Sequence, residues 1–223
     1  MYAFLSVFGP PRNLLPRYNI APTADADVVR LDAEGQREPV SMRWGLVPFF
    51  WKKGLRRCRH VNARAETVSE SRSSATKRRR CIVPASGFFE WTGEKGGKQP
   101  HLFSAADGSP ILAFASLWDR WVNPETQEEL LSCTSVVSGA SEWMKPYHDR
   151  MPVLLTGSDI DACLKGSLGQ DEFQPSFGSA LREWPVSKRV NRTGVGDDDP
   201  TIVEPERPHN ENKLLNDKQF SWH

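Results

Sequence analysis

The chain has 223 residues, a length that suits one medium domain or two small ones and that can bury a sizeable core. Hydrophobic residues make up 38% and charged residues 26%, so most of the chain is expected to be globular rather than disordered. No segment approaches the roughly 20 apolar residues of a membrane helix, and the opening MYAFLSVFGPP lacks the basic lead of a signal peptide. We therefore predict a soluble, cytoplasmic protein with no membrane partner. We also expect it to be a monomer.

Charge is unevenly distributed along a chain whose net charge is only +1. The segment 52–80 carries eleven Lys and Arg residues against two acids, Glu66 and Glu70. Such a basic segment in a near-neutral protein is typical of a surface that binds a polyanion, although a solvated basic helix is an equally simple interpretation. The four cysteines form no C-x-x-C pair, so neither a metal site nor a disulfide framework is predicted, and no cofactor is expected.

The first half of the chain predicts an arm, two strands and a helix. Residues 1–22 are rich in turn formers and predict an irregular arm. DVVRL and PVSMRW flank DAEGQRE, which predicts two strands joined by a glycine-containing loop. ARAETVSESRSSATKRRR lacks β-type alternation, and its acid-first, base-last polarity predicts a helix. Asn62 is a candidate N-cap of that helix, and Arg64 lies at its start, where a bound phosphate would offset the unfavourable dipole.

A series of strands with short connections follows. Turn signals separate four strand-like segments, which indicates an antiparallel sheet: CIVPASGFFEW, HLFSA, ILAFASLWDRWV and LLSCTSVVS. SEWMKPYH predicts a short helix, and MPVLLT predicts a strand. SDIDACLKG predicts a helix that is capped by Ser158 and ends at Gly166, and EWPVSKRV predicts a last strand. The predicted class is α+β with antiparallel sheet dominant. The polar end of the chain, residues 206–223, predicts a flexible tail beyond a single domain of residues 1–205.

Besides HVNARAE, which contains Asn62 and Arg64, three segments carry residues suited to chemistry or binding. Glu90 lies among aromatic residues in GFFEW, where alternation places it with Phe88 and opposite Phe89 and Trp91; an apolar setting would raise its pKa into the range of a general acid or base. His148 in YHDRMP can exchange a proton near neutral pH. Asn19 in RYNIAP is equally compatible with a turn residue that satisfies its own backbone. Each of these residues taken alone also fits a purely structural role.

The aromatic segment WGLVPFFW leads directly into the basic segment. Aromatic rings beside Lys and Arg are what single-stranded nucleic acid requires, with rings for the bases and cations for the phosphates. We expect Trp44 and Phe49 to belong to the core. Phe50 and Trp51 are the better candidates for an exposed surface that stacks on bases.

Together these segments resemble a known family. RYNIAPT, MRWGLVP, VNARAET, RRRCIVPASGFFEW, KQPHLF, FASLWDRW, HDRMPVLL and PVSKRV occur in the order typical of the SOS response-associated peptidase family, whose members are also called abasic-site processing proteins. The resemblance covers roughly Leu15 to Pro205, and its motifs are specific as a set. It implies a strongly curved, barrel-like, mainly antiparallel β-structure with a few short helices and a basic groove.

The resemblance also implies a mechanism and a set of site residues. Family members bind single-stranded DNA, and an N-terminal cysteine attacks the aldehyde of an abasic site, forming a Schiff base and then a thiazolidine crosslink. The family name records a proposed peptidase activity, removal of the leading methionine. Three matched residues would be catalytic: Asn19, Glu90 and His148. Asn62 and Arg64 would contact DNA, and Pro22 is assigned to the same DNA-binding set.

The beginning of the chain departs from the family pattern. The family begins Met-Cys-Gly-Arg, whereas this sequence begins Met-Tyr-Ala-Phe and its first cysteine is Cys58. Three hypotheses follow: an abasic-site crosslinking enzyme with an in-frame Met-Cys-Gly-Arg upstream, a DNA-binding relative limited to a reversible imine and weak strand cleavage, or a cysteine peptidase. The third requires Cys81 to reach His148, although its position at the start of an apolar strand favours a buried thiol.

Overall fold

The computed structural model describes residues 15–52, 54–55, 60–68, 79–168, 173, 181–194 and 197–206. Strands dominate these ranges, and two short α-helices and two 3-10 helices accompany them. In chain order the strands and α-helices are β1 (Asp25–Leu31), β2 (Arg37–Trp44), β3 (Asn62–Arg64), α1 (Ala65–Val68), β4 (Arg80–Ala85), β5 (Phe88–Thr92), β6 (Gln99–Ala105), β7 (Leu112–Val122), β8 (Glu129–Gly139), β9 (Arg150–Pro152), β10 (Leu154–Leu155), α2 (Gly157–Leu164) and β11 (Leu181–Pro185).

The larger sheet closes on itself. Strand β1 pairs with β2, β2 with β8, β8 with β7, β7 with β4, and β4 with β1, so the ring has no free edge. All of these pairs are antiparallel except β2–β8, which is parallel, as is the pairing of β3 with β8. The predicted class is confirmed: a curved, barrel-like, mainly antiparallel structure with few short helices.

Strands β5, β6 and β11 form a separate three-stranded antiparallel sheet. The sequence CIVPASGFFEW was predicted as one strand, but the chain leaves the barrel after Ala85 and enters this sheet at Phe88. Gly87 allows the crossing because a Cβ there would collide with the backbone carbonyl oxygen of Phe103. A glycine between two apolar strands therefore marks a change of sheet.

The core is built on both faces of the barrel strands. Val29, Ile82, Leu117 and Val136 are almost fully buried beneath the two α-helices, which contribute Ala65, Val68, Ile160, Cys163 and Leu164. Val28, Met42, Cys81 and Cys133 form a second buried cluster. Each fully buried aliphatic side chain of this kind contributes about 1.5–3 kcal/mol of transfer free energy.

The three predicted helices differ from the structure or extend beyond its described residues. Residues 141–148 form hydrogen-bonded turns rather than a helix, with Met144 N–H bonded to Ser141 O and His148 N–H to Met144 O. Helix α2 begins at Gly157 after Thr156, so Ser158 is not its N-cap, whereas Gly166, with φ of +72°, ends it as predicted. The predicted basic helix is present at Ala65–Val68, and residues 69–78 lie outside the described residues. Residues 207–223 of the predicted tail also lie outside them.

A buried carboxylate in β7 fastens the chain that follows β2. The side chain of Asp119 is 0% exposed and pairs with the Arg79 guanidinium. It also accepts hydrogen bonds from the backbone N–H groups of Phe49 (3.0 Å) and Arg120 (2.9 Å). Arg79, one of the basic residues of segment 52–80, therefore has a structural partner.

We expect Asp119→Asn to lower the free energy of unfolding by about 2–3 kcal/mol, because it leaves the partly buried Arg79 without its counter-ion. The measurement is urea denaturation of both proteins. Glu129→Gln is the matched control, because Glu129 pairs with Arg120 at the surface and should cost far less. Equal losses in the two variants would show that the buried position of Asp119 is energetically unimportant.

Candidate active site and nucleic-acid interface

Glu90 lies in the middle of β5, opposite His101 of β6. As alternation predicted, it shares a face with Phe88, which stacks on Phe103 at a ring-centroid distance of 5.1 Å, whereas Phe89 and Trp91 pack on the other face. Burial raises the pKa of Glu90 to about 7, although the nearby charges of His148 and Lys98 oppose this shift. The carboxyl group is therefore poised to exchange a proton near neutral pH.

His148 lies at the end of the turns 141–148, close enough to Glu90 for its charge to influence that carboxyl group. Its ring is 48% exposed, and Nδ1 accepts a hydrogen bond of 2.9 Å from the backbone N–H of Arg150. A carboxylate oxygen of Asp149 lies 3.0 Å from the same Nδ1 and would favour a proton there. Because Asp149 is 88% exposed, solvent screens this contact, and the backbone hydrogen bond is the stronger of the two.

Strand β8 brings the VNARAE and HDRMP segments together. It pairs with β3 on one side and with β9 on the other, so Arg64 and Pro152 are both opposite Val137. The Arg150 guanidinium completes the junction by binding the Glu66 carboxylate at 2.6 Å. The backbone N–H of Glu66 itself, Arg150 and Arg64 hold the pKa of Glu66 below its usual value. Glu66, Arg150 and Lys98 lie inside the motifs VNARAET, HDRMPVLL and KQPHLF but were not among the predicted site residues.

Asn62 lies in a strand and is not a helix N-cap, because its backbone pairs with Ser135 of β8 and α1 begins only at Ala65. His60, Asn62 and Arg64 are all exposed, while Val61, Ala63 and Ala65 are partly or fully buried. This two-residue periodicity places the three polar side chains in one exposed row. Arg64 directly precedes α1, as predicted, and lies at the end of the row nearest Arg150.

Aromatic residues lie at the other end of this row. Trp51 is half-buried, its ring centroid lies 6.3 Å from that of His60, and its indole N–H donates to Gly54 O at 3.2 Å. Phe49 and Phe50 are each 52% exposed and contact each other edge to face at 5.3 Å. The prediction that Phe49 belongs to the core is therefore wrong, because the bond from its backbone to Asp119 turns the chain outward at the end of PFF. Trp44 is half-buried against the cluster of Val28, Met42, Cys81 and Cys133, and its indole N–H donates to Val61 O.

Asn19 has a different environment from Glu90 and His148. It is 5% exposed, and its amide donates to the backbone oxygens of Val190 (3.1 Å) and Arg192 (3.5 Å). Val190 packs with Leu102, Phe89 and Trp91, on the face of the three-stranded sheet opposite Glu90. These bonds fasten the arm that precedes β1 to the sheet. The structure thus brings Glu90 and His148 together and places Asn19 where it can position the arm.

Pro22 is exposed in the turn before β1. Most of the basic segment 52–80 lies outside the described residues. Of its last two arginines, Arg79 pairs with Asp119 and Arg80 is buried.

Cys81 is fully buried, and burial raises its pKa well above the usual range. A buried neutral thiol is a poor nucleophile, so the geometry argues against a peptidase built on Cys81.

Comparison with known proteins identifies the family of the chain. Residues 6–193 match the family described as SOS response associated peptidase (SRAP). The chain belongs to this family. It is 31% identical over 191 residues to "Abasic site processing protein YoqW" of Bacillus subtilis (strain 168), covering 82% of this chain and 84% of that protein. It is also 31% identical over 173 residues to "Abasic site processing protein HMCES" of Xenopus tropicalis, covering 65% of this chain and 52% of that protein.

Solved structures share the fold. A crystal structure of a protein from Bacteroides thetaiotaomicron superposes with a TM-score of 0.79 at 24% identity, covering 92% of this chain and 95% of that one. A protein from Bordetella bronchiseptica superposes with a TM-score of 0.69 at 25% identity, covering 82% of this chain and 94% of that one. No helix in the described ranges is long and apolar enough to cross a membrane.

The raised pKa of Glu90 predicts a pH-dependent stability difference. A buried carboxyl group whose folded pKa is about 7 stabilises the fold in its neutral form, and this contribution falls as the pH rises from about 4.5 through 7. Glu90→Gln should therefore match the wild type near pH 4.5 and be more stable by about 2–3 kcal/mol at pH 8. Urea denaturation at both pH values measures the gap.

Glu94→Gln, on the exposed turn after β5, is the control and should give a smaller gap because its carboxylate lies in solvent. A Glu90→Gln variant that is less stable than wild type at pH 8 would show that the Glu90 carboxylate is well solvated or firmly paired.

Proposed function

We propose that this protein binds single-stranded DNA and processes abasic sites, with Glu90 and His148 as its proton-transfer pair. One observation carries the proposal: the pair lies next to the junction of β3, β8 and β9, from which the exposed row His60, Asn62 and Arg64 leads to exposed aromatic residues. Relatives over most of this chain are named abasic site processing proteins. An acid/base pair, a polar row that ends in the cation Arg64, and aromatic surfaces are the parts that such a substrate requires.

The chemistry of an abasic site suits these two groups. The open-chain sugar presents an aldehyde, and an amine that attacks it gives a carbinolamine, which loses hydroxide as water and becomes an imine. One group must protonate the departing hydroxyl, and another must take the proton from nitrogen. With a pKa of about 7, Glu90 is present in both forms at neutral pH, and the adjacent His148 can complete the exchange.

The covalent product depends on the residue that supplies the amine. A thiazolidine needs an amine and a thiol on one residue, as in a chain that begins Met-Cys and loses its methionine. Met1 and Tyr2 supply an amine alone. We propose a stable crosslink for a chain that begins with cysteine, and for one that begins with Met1 or Tyr2 a reversible imine that borohydride traps. The second case favours a DNA-binding relative with weak lyase activity at most.

The exposed row is proposed to hold the DNA strand. Arg64 is exposed at the end of the row nearest Glu66 and Arg150, where its guanidinium can bind a phosphate. Asn62 lies two residues earlier on the same face and can contact the sugar or a base. Phe50 and Trp51, joined now by Phe49, supply rings for stacking beyond His60. Pro22 is proposed to contact the same strand.

Arg64→Ala should weaken binding of a short single-stranded oligonucleotide several-fold and should reduce the slope of log affinity against log salt by about one, because one phosphate contact is lost. Fluorescence anisotropy over a range of salt concentrations measures both values. Arg37→Ala is the control, since Arg37 pairs with Asp161 at 2.9 Å elsewhere on the surface. Identical slopes for wild type and Arg64→Ala would remove Arg64 from the DNA-binding surface.

Glu90→Gln and His148→Ala should each slow reaction with abasic DNA by roughly 100-fold, because each removes a group that transfers protons. The measurement is single-turnover adduct formation, by borohydride trapping for the chain beginning at Met1 and by denaturing gel for a chain beginning with cysteine. Binding of intact single-stranded DNA serves as the control for folding. Unchanged rates in both variants would return Glu90 and His148 to structural roles.

A further inference from the structure

The turns 141–148 lie beyond one end of the exposed row. Strand β3 runs parallel to β8, so the row follows β8 and ends where Arg64 lies opposite Val137. Three residues further along, the backbone N–H of Ala140 bonds to Asp149 O at 3.0 Å and closes the base of the turns. The exposed aromatic residues, the row and the turns therefore follow one another along β8, in that order.

Trp143 is the exposed member of an aromatic cluster on these turns. The centroid of its ring lies 5.7 Å from that of Phe103 and 6.3 Å from that of Tyr147. Phe103 is fully buried and Tyr147 is half-buried, whereas Trp143 is 39% exposed. The fold thus leaves the largest apolar side chain of the three in contact with solvent.

The same cluster borders the candidate catalytic carboxyl group. The Tyr147 ring lies edge to face on His101 at a centroid distance of 5.2 Å, and His101 is the cross-strand neighbour of Glu90. Phe103, against which Trp143 packs, lies two residues beyond His101 on the same face of β6, a rise of about 6.6 Å. Trp143 therefore lies next to the candidate site, at the end opposite the row.

We propose that Trp143 stacks on the nucleobase that flanks the abasic sugar, on the side away from the exposed row. The inference rests on the proposed function, because it extends the same DNA-binding surface past Glu90 and His148. A strand that follows β8 would then contact aromatic rings on both sides of the lesion. One set of rings lies beyond the row, and Trp143 lies beyond the proton-transfer pair.

A nucleobase is the ligand that suits an aromatic ring at this position. Single exposed apolar residues are common on protein surfaces, and exposure alone assigns no partner. Here the exposed ring borders a site proposed for a sugar that has lost its base, where the next base has lost a stacking neighbour. Trp143 can replace that neighbour whichever base is present, since every base has a π-face. Glu142 and Lys145 pair with each other on the same turns, which favours stacking over phosphate binding as the contact here.

The test compares wild type and Trp143→Ala in binding short single-stranded oligonucleotides that carry a tetrahydrofuran analogue of the abasic site. One oligonucleotide keeps both flanking bases, and in two others a second analogue replaces the 5′ or the 3′ flanking base. In wild type, removal of the base on one side should weaken binding about tenfold, and Trp143→Ala should weaken binding of the first oligonucleotide by about the same factor. Because ring and base act through one contact, Trp143→Ala should lose less than about twofold when that base is removed.

Two control variants and a crosslink separate stacking from folding. Trp143→Phe keeps a ring and should lose affinity by no more than about threefold. Phe49→Ala, at the other end of the row, should bind more weakly but remain as sensitive as wild type to removal of that base. With 5-iodouracil as the flanking base, ultraviolet light should join the base to Trp143 in the wild-type complex, as located by mass spectrometry. This measurement needs no variant and decides the question if Trp143→Ala fails to fold.

Two results would overturn the proposal. The first is an equal loss of affinity in wild type and Trp143→Ala when either flanking base is removed. The second is an iodouracil crosslink that forms at other residues from both flanking positions. The proposed function is tested separately, by trapping an adduct with true abasic DNA. If no adduct forms, the proposed function fails, and the analogue, which forms no imine, still shows whether Trp143 stacks on the flanking base.

Discussion

Strand β8 pairs with β3 on one side and with β9 on the other, so that Arg64, Val137 and Pro152 lie in line across three strands. The two outer strands have three residues each and could not hold their positions alone. Their backbone bonds to β8 and the Glu66–Arg150 pair hold them. One long strand of the closed barrel, β8, therefore pairs both with the strand that bears Asn62 and Arg64 and with the strand that follows His148, which fixes these two segments relative to each other.

Glu90 lowers the stability of the fold at neutral pH. Its carboxyl group lies on a partly buried face, and at neutral pH ionisation opposes folding. Glutamine of the same shape would avoid that cost, so a glutamate here indicates a role that needs its proton. The same argument separates Glu90 from Asp119, whose buried charge is balanced by Arg79 and by two backbone N–H groups. Asp119 is stabilised as an anion, whereas Glu90 can gain or lose a proton near neutral pH.

Local patterns in the sequence predicted most of the longer strands and the face of β5 that carries Glu90, because alternation is a property of a few neighbouring residues. They could not predict the parallel pairing of β3 with β8, which joins segments about seventy residues apart and makes Asn62 a strand residue. The exposure of Phe49 was missed for the same reason, since it depends on the bond to Asp119, seventy positions away. The order of the motifs identified the family, and tertiary contacts then decided which residues of those motifs meet.

The three-stranded sheet is fastened on both of its faces. On one face, Asn19 bonds to Val190 and secures the arm that leads into β1. On the other face, Glu183 pairs with His101, and the ring of Tyr147, the residue before His148, lies edge to face on His101 at a centroid distance of 5.2 Å. Glu90 lies on the strand between these two attachments. Both the arm and the turn are irregular and would vary in position without these contacts, so the residues that make them set the geometry of the candidate site as much as Glu90 and His148 do.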